Sequence, residues 1–286
     1  MRVAVLGVGT MGSAMASRLA GQGFEVYLWN RTREKAESLA RSIGAQVHPS
    51  PWSAAERADA AIAFVSDDNA LLGVVADMRR ADGLLFIDSS TVTPVASRAA
   101  SQHLSALGIC YAEAPVIGGA GDIRQGKAIF LASGDRSCLR TASRVLSAAG
   151  EMLEVGEEIG SAMALKLAYN AILISTVGVL GEALALAELY GVSPTLLHQV
   201  LGRTAFSEVA NKYLPRILDP SAPVHFKLSL AAKDLEYAKR AAFDAGGSLP
   251  IVSAASSLFK QADFHGLGGL DYTKVSEFLR PRRRAS

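Results

Sequence analysis

Cysteine is nearly absent from this chain of 286 residues, which has only Cys110 and Cys138. Neither sits in a CxxC or any metal-type spacing, so a disulfide scaffold and a zinc module are both excluded. Two free thiols in a reducing cytoplasm are the expectation. Five histidines, His48, His103, His198, His225 and His265, are scattered without ligand spacing, so no metal is expected. Charge of one sign is lacking as well: 29 basic residues face 27 acidic ones, and a net charge of +2 does not mark a nucleic-acid binder. The basic run that does exist, RPRRRAS from Arg280 to Ser286, reads as a solvated chain end. There is no G-x-S-x-G elbow of a serine hydrolase. No internal repeat, low-complexity linker or signal peptide is visible; glycines interrupt the short apolar run at the N-terminus.

Half of the residues are hydrophobic and 20% are charged, the balance of a globular protein with a substantial core. The length favours two domains. In the first part, short apolar runs alternate with helical segments. RVAVL (2–6), FEVYLWN (24–30), ADAAIAFVS (58–66) and GLLFIDSS (83–90) read as strands, and SAMASRLAGQG (13–23) and REKAESLARSIG (33–44) as helices closed by glycine. Strands and helices at this spacing imply βαβ units around a parallel sheet. From Ser161 onward the strand rhythm stops. Alanine- and leucine-rich segments at 161–190, 194–202, 206–218, 228–245, 248–263 and 271–280, punctuated by prolines, predict an all-helical second domain. The boundary is expected at the start of the long helix, dividing residues 1–161 from 162–286.

GVGTMG, Gly7 to Gly12, has the form G-x-G-x-x-G between a strand and a helix. In that context the pattern reads as a dinucleotide site, with Gly7, Val8, Gly9, Thr10, Met11 and Gly12 wrapping a pyrophosphate at the helix N-terminus. An NAD site wants an acid at the end of the second strand, but WNRTREK supplies Asn30, Arg31 and Thr32. A guanidinium and a hydroxyl suit a 2′-phosphate, so NADP(H) is the expected cofactor. After the following strands, FVSDD offers Val65 and Ser66 as cofactor-lining residues. DSSTVTP, 88–94, lies where ligands gather in an α/β sheet, and is equally compatible with plain helix capping. EAPVIGG, 113–119, fits either a tight turn between strands or a nest of N–H groups for a substrate carboxylate.

The most apolar stretch, SAMALKLAYNAILISTVGVL (161–180), contains Lys166. On a helix Asn170 lies one turn further along the same face. A partly desolvated lysine is a proton donor or acceptor matched to neutral pH. A membrane span would have to bury that charge, along with Asn170, Ser175 and Thr176, at a cost of several kcal/mol, and is set aside. Lysine paired with a carboxylate, or snorkelling from the helix edge, is the bland alternative. Lys233 and Asp234 in FKLSLAAKDLEYA form a second polar pair, for which surface ion pairing is the default.

Together GVGTMG, DSSTVTP, EAPVIGG, GSAMALKLAYN and KDLEYA resemble the β-hydroxyacid dehydrogenase family, whose motifs they match in order over nearly the whole chain. The resemblance implies an α/β Rossmann domain with a mostly parallel, doubly wound sheet, followed by an all-α domain. It implies that Lys166 is the catalytic residue with Asn170 beside it, and that Gly118 and Gly119 contact the substrate. It places Thr91 and Lys233 near the cofactor and Phe226 at the pocket wall. Two positions depart from the family's usual D-A-P-V-S-G-G: Glu113 replaces the aspartate and Ile117 the serine. A less polar substrate site is expected at Ile117. The expected activity is NADP(H)-dependent interconversion of a short β- or γ-hydroxy acid and its semialdehyde or keto acid, in a cytoplasmic homo-oligomer with no nucleic-acid or membrane partner. An imine reductase of the same architecture and a non-catalytic NADP-binding module are the alternatives; imine reductases usually carry Asp or Tyr at the lysine position.

Overall fold

The computed structural model describes residues 1–280, so all of the expected basic tail except Arg280 lies outside the described residues. The chain divides into two compact units, Met1–Lys166 and Leu167–Ser286.

The first unit opens with alternating strands and helices: β1 (Arg2–Leu6), α1 (Thr10–Gly21), β2 (Glu25–Trp29), α2 (Arg33–Ile43), β3 (Gln46–Val47) and α3 (Pro51–Ala55). It continues through β4 (Ala60–Ala63), α4 (Asp68–Ala76), β5 (Leu85–Asp88), α5 (Pro94–Ala106), β6 (Cys110–Glu113) and β7 (Val116–Ile117). Then follow α6 (Ala120–Gln125), β8 (Ala128–Gly134), α7 (Arg136–Leu146) and β9 (Gly150–Gly156), and the long α8 (Ser161–Leu189) begins. One sheet runs in the order β3-β2-β1-β4-β5-β6-β8-β7, with β9 on the other side of β8. Pairings from β3 through β6 are parallel, whereas β8 runs antiparallel to β6 and β7.

The period of two decides which side chain meets which helical layer. Val3, Val5, Ile62 and Ile87 enter one core, and Ala4, Leu6, Ala61 and Phe86 enter the other. Both faces are buried, as a parallel sheet requires, which is why these strands read as unbroken apolar runs. Helix α7 shows the complementary pattern, burying Cys138, Leu139, Ala142, Val145 and Leu146 along one face.

The cysteine expectation is corrected here. Cys110 at the start of β6 and Cys138 in α7 form a disulfide, their Cα atoms 5.8 Å apart. The fold brings the first turn of α7 against β6, a proximity that no sequence spacing signals. The argument for a reducing compartment from two free thiols therefore loses its basis.

In the second unit the remainder of α8 is followed by α9 (Pro194–Leu201), α10 (Ser207–Leu218), α11 (Leu228–Asp244) and α12 (Pro250–Ala262). A π-turn (Asp263–Leu267), a 3-10 turn (Tyr272–Lys274) and α13 (Val275–Leu279) close it. Its core joins Ile174, Val177 and Leu184 of α8 to Tyr213 and Ile217 of α10, Leu235 of α11 and Phe259 of α12. By length and hydropathy α8 could cross a membrane; here the apolar run supplies this buried face. Segment 271–280 is not one helix. Asp271 caps the 3-10 turn through Thr273 while Lys274 donates to the carbonyls of Arg216, Ile217 and Asp219, a demand that interrupts the helix.

Candidate active site

The fingerprint loop has the shape its glycines dictate. Gly7 holds φ +98°, and a Cβ there would stand 2.3 Å from the Phe64 carbonyl oxygen. A Cβ on Gly12 would stand 1.8 Å from the Gly7 carbonyl, so α1 can pack on the sheet only with glycine at that position. A Cβ on Gly9 would meet nothing within 4 Å. Gly9 is also the N-cap of α1 and offers no side chain to the helix N–H groups. Open space over an uncapped helix N-terminus is a fitting cradle for a pyrophosphate, and the residues present fit a dinucleotide. Val8 is buried behind the loop, while Thr10 is exposed and Met11 half-buried.

At the end of β2, Asn30 does structural work. Its Oδ1 accepts from the Val8 N–H at 3.0 Å and its Nδ2 donates to the Thr32 carbonyl at 2.8 Å. Arg31 and Thr32 are exposed beyond it, and no carboxylate occupies the ribose-reading position.

The loops after β4 and β5 are laced together. The Val65 N–H donates to Ser90 Oγ at 3.0 Å, and Asp68 accepts from both the N–H and the hydroxyl of Thr93 at 2.9 and 2.8 Å. Thr93 also caps α5, so the capping reading of DSSTVTP holds at that residue. Half-buried Thr91 sits between these two fixed points, and exposed Ser66 donates to Asp67 at 2.6 Å.

The turn after β7 differs from an open nest. Gly118 takes φ +113°, but the Gly119 N–H already donates to Asp122 Oδ2 at 2.7 Å, the first-turn carboxylate of α6. That donor is therefore spent inside the protein. Ile117 is half-buried immediately before the turn.

Lys166 is 8% exposed and is the last residue of the first unit. Asn170, one turn on in α8, opens the polar cluster of the second unit. Its Nδ2 donates to Asp234 Oδ2 at 2.6 Å, and Lys233 Nζ stands 2.9 Å from Asp234 Oδ1 and 4.4 Å from the centre of the Tyr237 ring. Asp234, 2% exposed, thus holds two of the expected site residues at once. In the sequence Asp234, the residue after Lys233, signals only a surface ion pair. Phe226, half-buried, is pinned through its N–H to Asp271 at 3.2 Å and stacks obliquely on Tyr272. A separate cleft of about 650 Å³, lined by Met1, Asp59, Asp82, Leu84 and Arg144, opens at the amino ends of the strands, the end where this kind of sheet does not take its ligand.

The profile of the NAD binding domain of 6-phosphogluconate dehydrogenase matches residues 2–165. That of the NAD-binding domain of NADP-dependent 3-hydroxyisobutyrate dehydrogenase matches residues 160–279. The chain belongs to the β-hydroxyacid dehydrogenase family. Among its relatives, glyoxylate/succinic semialdehyde reductase 1 of Arabidopsis thaliana is 32% identical over 286 residues, 98% of this chain and 99% of the relative. Among solved structures, the Mycobacterium tuberculosis 3-hydroxyisobutyrate dehydrogenase with L-serine is similar at a TM-score of 0.85 and 27% identity, covering 98% of this chain and 99% of its own. An imine reductase from Aspergillus terreus is similar at a TM-score of 0.66 and 25% identity, over 97% of this chain and 98% of its own. This member of an NAD(P)-dependent hydroxyacid dehydrogenase family therefore carries the fold and the cofactor domain of oxidoreductases.

Proposed function

We propose that the protein reduces the carbonyl of a short aldehyde- or keto-acid to the β- or γ-hydroxy acid, and runs the reverse oxidation, with NADP(H) as cofactor. The observation that carries this reading is a lysine at 8% exposure on α8, in a family of hydroxyacid dehydrogenases. The bound nicotinamide supplies or accepts the hydride. Lys166 delivers a proton to the substrate oxygen in reduction and removes it in oxidation, and its charge stabilises the developing oxyanion. Asn170, fixed by Asp234, orients that oxygen or the lysine. Lys233 and Thr91 serve the cofactor, with Val65 and Ser66 at its wall. Arg31 and Thr32 read the 2′-phosphate, because the one polar side chain at the ribose position, Asn30, is spent on Val8 and Thr32.

Ile117 and Gly118 shape the substrate site. With the Gly119 N–H taken by Asp122, that turn meets substrate through the Ile117 side chain and the Gly118 backbone. Imine reduction is the second reading, favoured by apolar Ile117 and by the Aspergillus neighbour; retention of Lys166 favours the carbonyl. A homo-oligomer is part of the proposal. Ile172, Val179 and Leu186, 72%, 60% and 60% exposed, recur every seven residues along α8 and form an apolar stripe suited to a second copy.

The test is a panel of glyoxylate, succinic semialdehyde, 3-hydroxyisobutyrate and cyclic imines, each with NADPH and NADH, run on wild type and Lys166→Ala. Turnover of an aldehyde or hydroxy acid, lost in Lys166→Ala, is expected. Turnover of imines alone, or a wild-type kcat in Lys166→Ala, overturns the reading, and cofactor binding without turnover identifies a non-catalytic module.

A further inference from the structure

Glu113 ends β6 and is fully buried, and it has no role among those assigned above to cofactor or substrate. Its two oxygens collect donors from three parts of the first unit. Oε1 accepts from Ser97 of α5 and from the Gly160 N–H at 2.9 Å. Oε2 accepts from Ser133 of β8 and from the Ala162 N–H at 3.2 Å. Gly160 and Ala162 flank the first residue of α8, so this carboxylate fixes the helix N-terminus, where an anion is favoured by the unpaired N–H groups and the helix dipole. Lys166 follows Ala162 by one turn on the same helix, and Met163 between them is packed into the core beneath the sheet.

A second carboxylate stands behind the first. Asp88, at the end of β5, accepts from the Ser90 N–H at 3.0 Å. Its other oxygen meets the Tyr111 hydroxyl at 3.1 Å, that hydroxyl meets Ser97 Oγ at 2.8 Å, and Ser97 meets Glu113. The row Asp88–Tyr111–Ser97–Glu113 has three oxygen–oxygen links, and each needs a hydrogen. The two hydroxyls bring one hydrogen each. The third must sit on a carboxyl, so the complete row holds one more proton than two carboxylates and two hydroxyls would. Glu113 has two backbone N–H groups and two hydroxyls on it and is the better-solvated anion. Asp88 has a single backbone N–H and is the proton's place. The row is then polarised in one direction, Asp88 to Tyr111 to Ser97 to Glu113.

We infer that Glu113 is a positioning residue for Lys166, locking the first turn of α8 to the carboxyl ends of β5 and β6, and that the row through Ser97, Tyr111 and Asp88 holds Glu113 as an oriented anion. The inference rests on the proposed role of Lys166. Because Ser90 also receives the Val65 N–H, the same row ties the loop at the proposed cofactor wall to the lysine's helix. Glutamate rather than aspartate follows from reach, since one side chain has to span Ser97, Ser133 and the helix N-terminus together.

The experiment compares Glu113→Gln, Glu113→Asp, Ser97→Ala and Tyr111→Phe with wild type. In Glu113→Gln the amide nitrogen, whichever oxygen it replaces, turns two N–H groups toward two of the four donors. A displacement of up to an ångström at the lysine then lowers kcat about 10- to 100-fold while KM for the cofactor stays within about twofold. Glu113→Asp keeps the anion and recovers part of kcat, and Tyr111→Phe and Ser97→Ala lower it less than Glu113→Gln. A second readout needs neither substrate nor cofactor. In full-length protein carrying 13C-methylated lysines, the Lys166 signal, identified by its loss in Lys166→Arg, moves in Glu113→Gln and in Ser97→Ala, while that of Lys233 does not. If Glu113→Gln does not fold, the Ser97→Ala and Tyr111→Phe signals decide. An unmoved Lys166 signal, or a Glu113→Asp variant as damaged as Glu113→Gln, overturns the inference. If Lys166→Ala keeps the wild-type kcat, the lysine's catalytic role fails instead. If Lys166→Ala is dead and the Glu113 series is silent, only the positioning role fails.

Discussion

Replacing Asp88 by asparagine should stabilise the protein at neutral pH and leave it unchanged in acid. Burial, against the ordinary value of 3.8, pushes the Asp88 carboxyl up to about 6, with the Glu113 charge adding to the rise and the Ser90 and Tyr111 hydrogen bonds opposing it. The sign follows from where the proton sits. Between pH 4 and 6 the folded protein holds a proton on Asp88 that the unfolded chain has already lost, so the fold weakens as pH rises through that window. Above it, both states are ionised, Asp88 has lost the proton it shares with the row, Tyr111 turns to donate to the carboxylate, and the fold carries the whole cost of a buried charge. A shift of about two units corresponds to about 3 kcal/mol. Asparagine copies the protonated carboxyl: Oδ1 accepts from Ser90 and Nδ2 donates to the Tyr111 oxygen. Asp88→Asn should therefore exceed wild type by up to about 3 kcal/mol at pH 8 and match it near pH 4. The assay is denaturant unfolding of both proteins from pH 4 to 8, with the difference taken at each pH so that titrations common to both cancel. A difference that stays flat with pH, or a variant weaker than wild type at pH 8, refutes the placement of the proton on Asp88.

Arg31→Asp should raise the Kd for NADPH about 10- to 100-fold through loss of charge-assisted bonds to the 2′-phosphate, and NADH titrated in parallel should not weaken. Equal losses for both would remove the 2′-phosphate reading. Gly12→Ala puts a Cβ 1.8 Å from the Gly7 carbonyl and should lower stability by about 1–3 kcal/mol while abolishing NADPH binding, measured by thermal shift and fluorescence titration. Unimpaired binding would contradict the packing of α1. Cys138→Ser opens a loop of 28 residues' separation and should cost about 3–4 kcal/mol by chain entropy, seen as an earlier unfolding midpoint under non-reducing conditions. A free-thiol titration that finds both cysteines reduced in the native protein would refute the bridge.

Several parts of this molecule are local, and local parts can be read from order along the chain. Buried parallel strands write themselves as apolar runs, and a dinucleotide turn needs glycine at Gly7, Gly9 and Gly12 whatever surrounds it. Helix breaks at proline and glycine separate the elements of the second unit. The α/β and all-α halves, the fingerprint, and the placing of Lys166 and Asn170 on one helix face are therefore legible in residue order alone. Residue order does not name β3 and β7, which have only two residues each, nor β6, β8 and the seven-residue edge strand β9, whose pairing is set by the folded sheet. Features that depend on meetings between distant segments emerge when the chain folds. The Cys110–Cys138 bridge, the Asp122 carboxylate on Gly119, the Asp234 clamp on Asn170 and Lys233, and the proton-sharing row from Asp88 to Glu113 all belong to that class. A buried carboxylate gives no sign in a sequence of how many donors will reach it. That number is set when the strands and helices close around it, and it decides whether the group bears a proton or a charge.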